Sequence, residues 1–351
     1  MKLLIITQKV DERDQVLGFM HRWIEEFAKR CEALAVICLE EGTHHLPQNV
    51  KVFSLGKERG SSRLRYALRF WYLIWRERNA YDAVFVHMNQ IYVILGWLEW
   101  RLLRKKISLW YAHGAISMSL RAGEKMADVI FTSTASGFRL PSKKVRIVGQ
   151  GIDTDHFAPI VRQENVVPKI IMIGRLSPAK DQQTLIQALV LLAEAGERFE
   201  ADIIGSAGRG GQESYAEELY RAVKEKKMGP HIRFIGGVPH KDILVYLQSA
   251  DIFVNTGLTG SLDKAGLEAM ATGLPVLTCN EAYMDVLGKH CDLLMFEKKN
   301  SVELAKKLMV LMHMDILARD DLRHSMRAIV VEHHRVEGLI EKIMCIMELK
   351  I

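Results

Sequence analysis

The chain has 351 residues, 49% of them hydrophobic and 26% charged, and a formal net charge of +6. That length and balance predict about two folded domains with a large core and exclude a disordered or collagen-like chain. The charge is uneven: residues 1–155 carry 24 Lys and Arg against 16 Asp and Glu, a balance of +8, and the remainder carries 24 against 26, a balance of −2. The first half therefore suits an anionic surface or partner.

The five cysteines (Cys31, Cys38, Cys279, Cys291 and Cys345) are odd in number and lack CxxC spacing. Buried, reduced thiols in a cytosolic protein are expected, not disulfides or zinc ligands. The opening MKLLIITQKV is too short an apolar run for a signal peptide and reads as a first strand. No stretch approaches the roughly 18 uncharged apolar residues of a membrane span. The expected location is cytoplasmic, with the inner face of the cell membrane as a peripheral site.

In chain order, strands are predicted at Leu3–Thr7, Leu34–Leu39 and Val50–Ser54. A helix between the first two carries Phe19, Trp23, Phe27 and Ala28 at helical spacing, after a polar loop ending in Gly18. Residues 59–78 mix arginines with Tyr66, Phe70, Trp71, Tyr72 and Trp75, and WLEWRLLRKK (97–106) repeats the theme. Either these are basic, aromatic faces lying on anionic lipid headgroups, or amphipathic helices packing their aromatic side on the sheet. No motif supports nucleic-acid binding. Further strands are predicted at Ala83–His87, Ile107–Tyr111, Asp128–Thr132 and Val145–Val148. Strands alternating with helices predict a parallel sheet covered on both faces. Ligands sit at the carboxyl ends of such strands, so His113, in YAHG, is either a site residue or a structural histidine. The loop QGIDTDHFAP and the polar run 161–168 read as a linker.

The pattern restarts with strand Lys169–Arg175 and a helix from Asp181. Arg175 closes the strand and Lys180 opens the helix. The pair suits a pyrophosphate, Arg by forking onto oxygens and Lys as a point charge, or else is two surface cations. A strand at Ala201–Gly205 enters GSAGRGG, which lacks a following GK[ST] and is no P-loop, and the first strand carries no GxGxxG. A strand at Ile232–Gly236 leads into GGVPH, a loop able to lie flat against a base. Helix 241–250 and strand Asp251–Asn255 follow.

The run from Phe253 to Cys279 then gives a strand end, a glycine-bearing loop, a short helix capped by Ser261, and a stop at Gly273 and Pro275. Asp263 sits where the helix dipole favours an anion, and the helix start is a ready anion site. Glu268, about one turn further in, has no Lys or Arg beside it in sequence. A short strand is predicted at Leu293–Phe296, then helices. The last, from about Arg335, carries Leu339, Ile340, Ile343, Met344 and Met347 and could pack on the first half. The pairs His44-His45 and His333-His334 lack metal-ligand spacing, and hydrolase signatures are absent.

With these residues in place, the chain resembles family 4 of the retaining glycosyltransferases, which have the GT-B fold. The resemblance rests on IGRLSPAKDQQTLIQAL, on IRFIGGVPHKDILVYLQSADIFVNT, on GLEAMATGLPV and on QGIDTDHFAP. It implies an α/β protein of two doubly wound, Rossmann-like parallel-sheet domains facing across a cleft. Residues 1–160 plus the C-terminal helix 335–351 would form the acceptor-side domain, and residues 161–334 the nucleotide-sugar domain. It also implies transfer of a sugar from a nucleotide diphosphate donor to a glycan or lipid-linked acceptor, with retention, no cofactor and no protein-bound metal. By the same resemblance Arg175 and Lys180 hold the donor pyrophosphate and Glu268 the ribose hydroxyls. Gly236 to Val238 contact the base. Backbone N–H groups of Leu262, Asp263 and Lys264 meet the distal phosphate and sugar. His113 lies near the donor sugar, and Gly18 in a loop close to phosphate and acceptor. One departure stands out: Gly260 replaces the first of the family's two glutamates, and Ser-Leu-Asp replaces Gly-Phe-Gly. Asp263 could supply the missing carboxylate. Alternatives are a catalytically impaired nucleotide-sugar-binding protein and a nucleotide-sugar epimerase of the same fold.

Overall fold

The computed structural model describes residues 1–60, 62–161, 164–208 and 213–349. Parts of the expected linker (162–163) and of the GSAGRGG loop (209–211) lie outside the described residues. The chain forms two compact units. One holds Met1–Gly151, Pro239–Lys241 and the segment from Val336 on; the other holds Ile152–Val238 and Asp242–Arg335.

The first unit contains β1 (Lys2–Val10), α1 (Phe19–Arg30), β2 (Ala33–Glu41), β3 (Val50–Ser54), α2 (Arg63–Arg76), β4 (Ala83–His87), α3 (Ile91–Leu102), β5 (Lys106–Trp110), α4 (Met118–Met126), β6 (Val129–Thr132) and β7 (Val145–Ile147). All seven strands are parallel, in the order β3-β2-β1-β4-β5-β6-β7. Side chains alternate across a strand, and β1 shows the consequence. Leu3 and Ile5 join one core with Phe27 of α1, whereas Leu4 and Ile6 join another with Phe70 of α2, Trp100 of α3 and Leu120 of α4.

The second unit contains β8 (Lys169–Ile173), α5 (Gln182–Glu194), β9 (Glu200–Ile204), α6 (Glu213–Glu225), β10 (Ile232–Gly236), α7 (Ile243–Ser249), β11 (Ile252–Asn255), α8 (Lys264–Ala271), β12 (Val276–Thr278), α9 (Met284–Leu287), α10 (Cys291–Leu294), α11 (Ser301–Met312) and α12 (Ile316–His333). Its parallel sheet runs β10-β9-β8-β11-β12. A last helix, α13 (Val336–Glu348), belongs to the first unit, where Val336, Leu339, Ile340, Ile343, Met344 and Met347 share the core of Leu3, Ile5, Trp23 and Phe27. Each sheet is doubly wound, and α13 crosses back as expected.

Two expectations need correction, and one open alternative is decided. The predicted strand Leu293–Phe296 begins instead as α10. The Met295 N–H returns to the Cys291 carbonyl (2.8 Å), and among the described residues the segment pairs only through an isolated bridge of Met295 with Thr278, whose carbonyl accepts from the Phe296 N–H (3.1 Å). A short apolar run cannot by itself separate strand from buried helix. The cysteines are not uniformly buried: Cys345 is exposed on α13 and Cys291 half-buried. Of the two arrangements open for residues 59–78, helix α2 does not take the one that puts its aromatic side on the sheet. It buries only Phe70, Leu73 and Ile74 and leaves Trp71, Tyr72 and Trp75 exposed.

Candidate functional site

In the second sheet, connections run outward in one direction from β8 to β9 and β10, and in the other from β11 to β12. The loops leaving the carboxyl ends of β8 and β11 therefore diverge, and open α/β sheets bind ligands outside such a reversal. Two loops meet here, residues 174–181 after β8 and 256–263 after β11. Leu258 N–H donates to the Ala179 carbonyl (2.9 Å), Thr256 Oγ1 to the Lys180 carbonyl (2.6 Å), and Lys180 Nζ to the Asp263 carboxylate (2.9 Å).

Bare backbone floors this corner. Gly205, at φ +147°, sits so close to β8 that a Cβ would lie 2.0 Å from the Gly174 carbonyl oxygen. A Cβ on Gly174 would lie 3.3 Å from Lys180 Cε, so the lysine stem runs over it. Arg175 is exposed. Its carbonyl accepts from the buried Gln182 amide (2.8 Å), while its guanidinium has no hydrogen bond or ion pair among the described residues. Together these place one unpartnered cation and one carboxylate-held cation at the mouth of a parallel-sheet switch point.

The helix α8 begins at Lys264, not after Ser261. Asp263 is its cap: backbone φ −79°, ψ 153°, side chain accepting from the Gly266 N–H (3.4 Å). Ser261 instead shares a hydrogen bond with Thr259 (3.2 Å). The Asp263 carboxylate divides its work. Oδ2 takes Lys180 and the Asn255 amide (3.2 Å), while Oδ1 takes the cap N–H and the Tyr283 hydroxyl (3.3 Å). Tyr283 is fully buried and also donates to the Asp263 carbonyl (2.8 Å). Burial and the Asp263 charge push its phenol well above the usual range, so it stays a donor. Gly266 makes room for it, since a Cβ there would lie 2.2 Å from the hydroxyl oxygen.

Glu268 is buried on α8, 3% exposed. Lys264 precedes it by four residues and thus shares its helix face, a neighbour hidden in a linear reading. Burial lowers the Lys264 ammonium to about 7, with the Glu268 charge working the other way. Leu262 is buried, and Asp263 and Lys264 are half-buried at the helix start. Gly260 has φ +69°, in the left-handed region where glycine is at ease and glutamate is strained.

The remaining expected residues lie elsewhere. Gly236 (φ +81°) ends β10 on the same sheet edge and accepts from the Gly205 N–H (2.8 Å), and Val238 packs on the core of the second unit. Gly18 and His113 belong to the first unit. Gly18 caps α1, where a Cβ would meet the Asp14 carbonyl oxygen at 2.6 Å. Burial pushes the Asp14 carboxyl up, but Lys9 (2.9 Å) and the N–H groups of Leu17 (2.7 Å) and Val16 (2.8 Å) outweigh it and hold it below its usual range. His113 follows β5, is exposed, and accepts at Nδ1 from the Ala115 N–H (3.1 Å), so in the neutral ring Nε2 carries the proton. Among the described residues no group of three or more His, Cys, Asp or Glu could hold a metal ion. Sequence reasoning missed Asn255, Gly266 and Tyr283; the polar Asn255 at an apolar strand end was the one available signal.

The comparisons with known proteins agree with a doubly wound α/β unit of this kind. Residues 155–333 match the model of the glycosyl transferases group 1 family, and the chain belongs to that family. The amylovoran biosynthesis glycosyltransferase AmsK of Erwinia amylovora is 29% identical over 157 residues, 43% of this chain and 37% of the relative. A GDP-mannose-dependent alpha-(1-6)-phosphatidylinositol monomannoside mannosyltransferase of Mycobacterium tuberculosis is 28% identical over 187 residues, 47% of each chain. The match thus spans less than half the length of these curated relatives. Among solved structures, Anabaena Alr3699/HepE in complex with UDP and glucose superposes with a TM-score of 0.79 at 17% identity, covering 99% of this chain and 100% of that one. Sucrose-phosphate synthase from Thermosynechococcus elongatus gives 0.81 at 13% identity, covering 99% and 98%. Both likenesses are of fold, the GT-B fold.

Proposed function

We propose that this chain is a hexosyltransferase that moves a sugar from a nucleotide diphosphate donor to a glycan or lipid-linked acceptor, with retention and without a protein-bound metal. The observation that carries the reading is the exposed Arg175 guanidinium, without an ion-pair partner among the described residues, beside Lys180 at the β8–β11 switch point. A departing nucleoside diphosphate gathers negative charge on its distal phosphate. Arg175, Lys180 and the N–H groups at the start of α8, from Leu262 to Lys264, aim positive charge there, which lowers the barrier to bond cleavage. Lys180 must exchange Asp263 for phosphate to take part. Glu268 accepts from the two ribose hydroxyls, a fit of one carboxylate to a vicinal diol. The backbone from Gly236 to Val238 faces the base. His113, with its proton on Nε2, donates to a hydroxyl of the donor sugar, and the Gly18 loop lies near phosphate and acceptor.

The relatives named for a GDP-mannose-dependent mannosyltransferase and for amylovoran biosynthesis support a role in cell-surface glycan assembly. A non-catalytic nucleotide-sugar-binding protein is the second reading, favoured by Gly260 and by the Asp263 carboxylate that occupies Lys180. The test is a thermal-shift screen of UDP-, GDP- and ADP-sugars. The preferred donor raises the melting temperature by mass action, and Arg175→Ala abolishes the rise. A full rise in Arg175→Ala removes the pyrophosphate assignment. Transfer followed by NMR of the anomeric proton then separates retention from inversion. Donor binding with no transfer across an acceptor panel establishes the second reading, and donor conversion without acceptor establishes an epimerase.

A further inference from the structure

The first unit carries an apolar face that its own fold leaves uncovered. On α2, Leu64 is 68% exposed, Leu68 56%, Trp71 43%, Tyr72 59% and Trp75 55%. At about 100° per residue, Trp71, Leu64, Trp75, Leu68 and Tyr72 fall, in that angular order, within an arc of roughly 100°. Arg65, Arg76 and Arg69 occupy the adjoining arc and are exposed. The third arc, Phe70, Leu73 and Ile74, is buried on the sheet. Helix α3 packs beside α2, and the Trp71 indole N–H donates to the Leu95 carbonyl (2.8 Å). Its own outer line is Ile91, Leu98 and Leu102, 46%, 63% and 75% exposed, spaced seven and four residues apart. Arg101 and the exposed Arg104 follow at its end.

Residues 57–78 hold seven Lys and Arg against two Glu. Among the described residues Arg63, Arg65 and Arg69 make no ion pair, and Arg78 stacks on Trp75, 4.4 Å from its ring centre. Surface helices normally turn charge outward and apolar side chains inward; here aromatic and leucine side chains point out next to a row of exposed arginines, of which Arg76 pairs with Glu77 while Arg65 and Arg69 have no counter-ion among the described residues. Water penalises that arrangement, and a second apolar protein surface would leave the arginines without counter-charge. The headgroup boundary of an anionic bilayer satisfies both, with tryptophan and tyrosine at headgroup depth, leucines in the acyl boundary and arginines on phosphate.

We propose that the α2–α3 face docks on anionic lipid bilayers, lying in the interface and not crossing it. Among the described residues no helix is long and apolar enough to span a membrane. The inference is independent of the donor chemistry, since the face uses none of the residues at the β8–β11 switch point.

The test is co-sedimentation of the full chain, without donor, with vesicles of phosphatidylcholine alone or mixed with phosphatidylglycerol. Binding to the mixed vesicles only, weakened by added salt, is the expected result. A blue shift of tryptophan fluorescence should accompany it. The double variant Arg65→Gln/Arg69→Gln should bind roughly thirtyfold more weakly, given the usual contribution of each arginine near such a surface. Leu64→Ser/Leu68→Ser should lose the fluorescence shift. Both pairs are exposed, so the melting temperature should stay at the wild-type value, and a variant that melts lower is replaced by Leu98→Ser/Leu102→Ser on α3. Absence of binding overturns the proposal, as does equal binding to neutral vesicles. So does a dimer in light scattering that Leu64→Ser/Leu68→Ser converts to monomer, since the face would then belong to a second copy.

Discussion

The Asp263 carboxylate accepts from Lys180, Asn255, Tyr283 and the Gly266 N–H at once. It is therefore both a helix cap and the standing counter-ion of the lysine assigned to the donor pyrophosphate. A phosphate must compete with it. Asp263→Asn should keep the cap, since Asn serves there as well as Asp, and hold stability within about 0.5 kcal/mol. It should free Lys180, and nucleoside diphosphate affinity measured by calorimetry should rise about two- to fivefold, the size of a partly exposed ion pair. An unchanged dissociation constant would show that Asp263 does not compete. Lys264 gives a second handle. Its pKa in the free protein is about 7, lowered by burial. A bound diphosphate favours the charged form and raises it. Affinity from this group is then complete below the free value and is lost as pH rises toward the bound value. Between the two, binding takes up a proton. Calorimetry at about pH 8 in buffers of different ionisation enthalpy should detect that uptake, and Lys264→Gln should remove it. No buffer dependence in the wild type would exclude Lys264 from the phosphate.

Helix α8 holds its position because Tyr283 reaches over Gly266 to its first turn. Gly266→Ala puts a methyl group 2.2 Å from a hydroxyl oxygen on a side chain with no room to retreat. Overpacking of that kind costs about 1–3 kcal/mol, and the cost should appear as earlier denaturant unfolding together with weaker donor binding. Wild-type unfolding would mean that α8 shifts freely. Parts of this arrangement were legible beforehand. Val50–Ser54, Ala83–His87 and Ile232–Gly236 form strands over the residues expected, because each is a short β-branched or aromatic run closed by turn residues. Arg175 and Lys180 stand at a strand end and before a helix as read, since strand and helix periods alone locate them. The cap at Asp263 was not legible. Ser261 and Asp263 are both good caps, and the choice depends on the turn taken at Gly260. The Tyr283 contact spans 20 residues and exists only once β12 has paired with β11. Which face of α2 is buried stayed open in the sequence because residues 63–76 offer two apolar stripes, and composition does not say which one the sheet takes.

At the scale of the molecule, the positive excess and the uncovered apolar face both belong to the first unit, while the cations assigned to the donor belong to the second. The chain nevertheless closes the first unit with its last helix. Lys106 Nζ donates to the carbonyls of Ile346 and Met347, each at 3.0 Å, tying the end of α13 to β5. Arg22 pairs with Glu337 at 2.8 Å, tying its start to α1. Between these ties Ile340 and Ile343 are fully buried beside Leu3, Ile5 and Phe27. The face of β1 they cover would otherwise be open to water, so the first unit should depend on residues far from it in sequence. Ile340→Ala deletes buried methyl groups from a site whose neighbours are held by a seven-stranded sheet and cannot easily collapse. The expected cost is about 2–5 kcal/mol. Hydrogen exchange should locate it: amide protection should fall in β1, β2, β4 and α1, and stay at wild-type levels in β8, β9 and α5. The donor-induced rise in melting of the second unit should survive. Equal loss of protection in both units would show that the two unfold as one cooperative body, and that α13 stabilises the whole chain and not the sheet it covers.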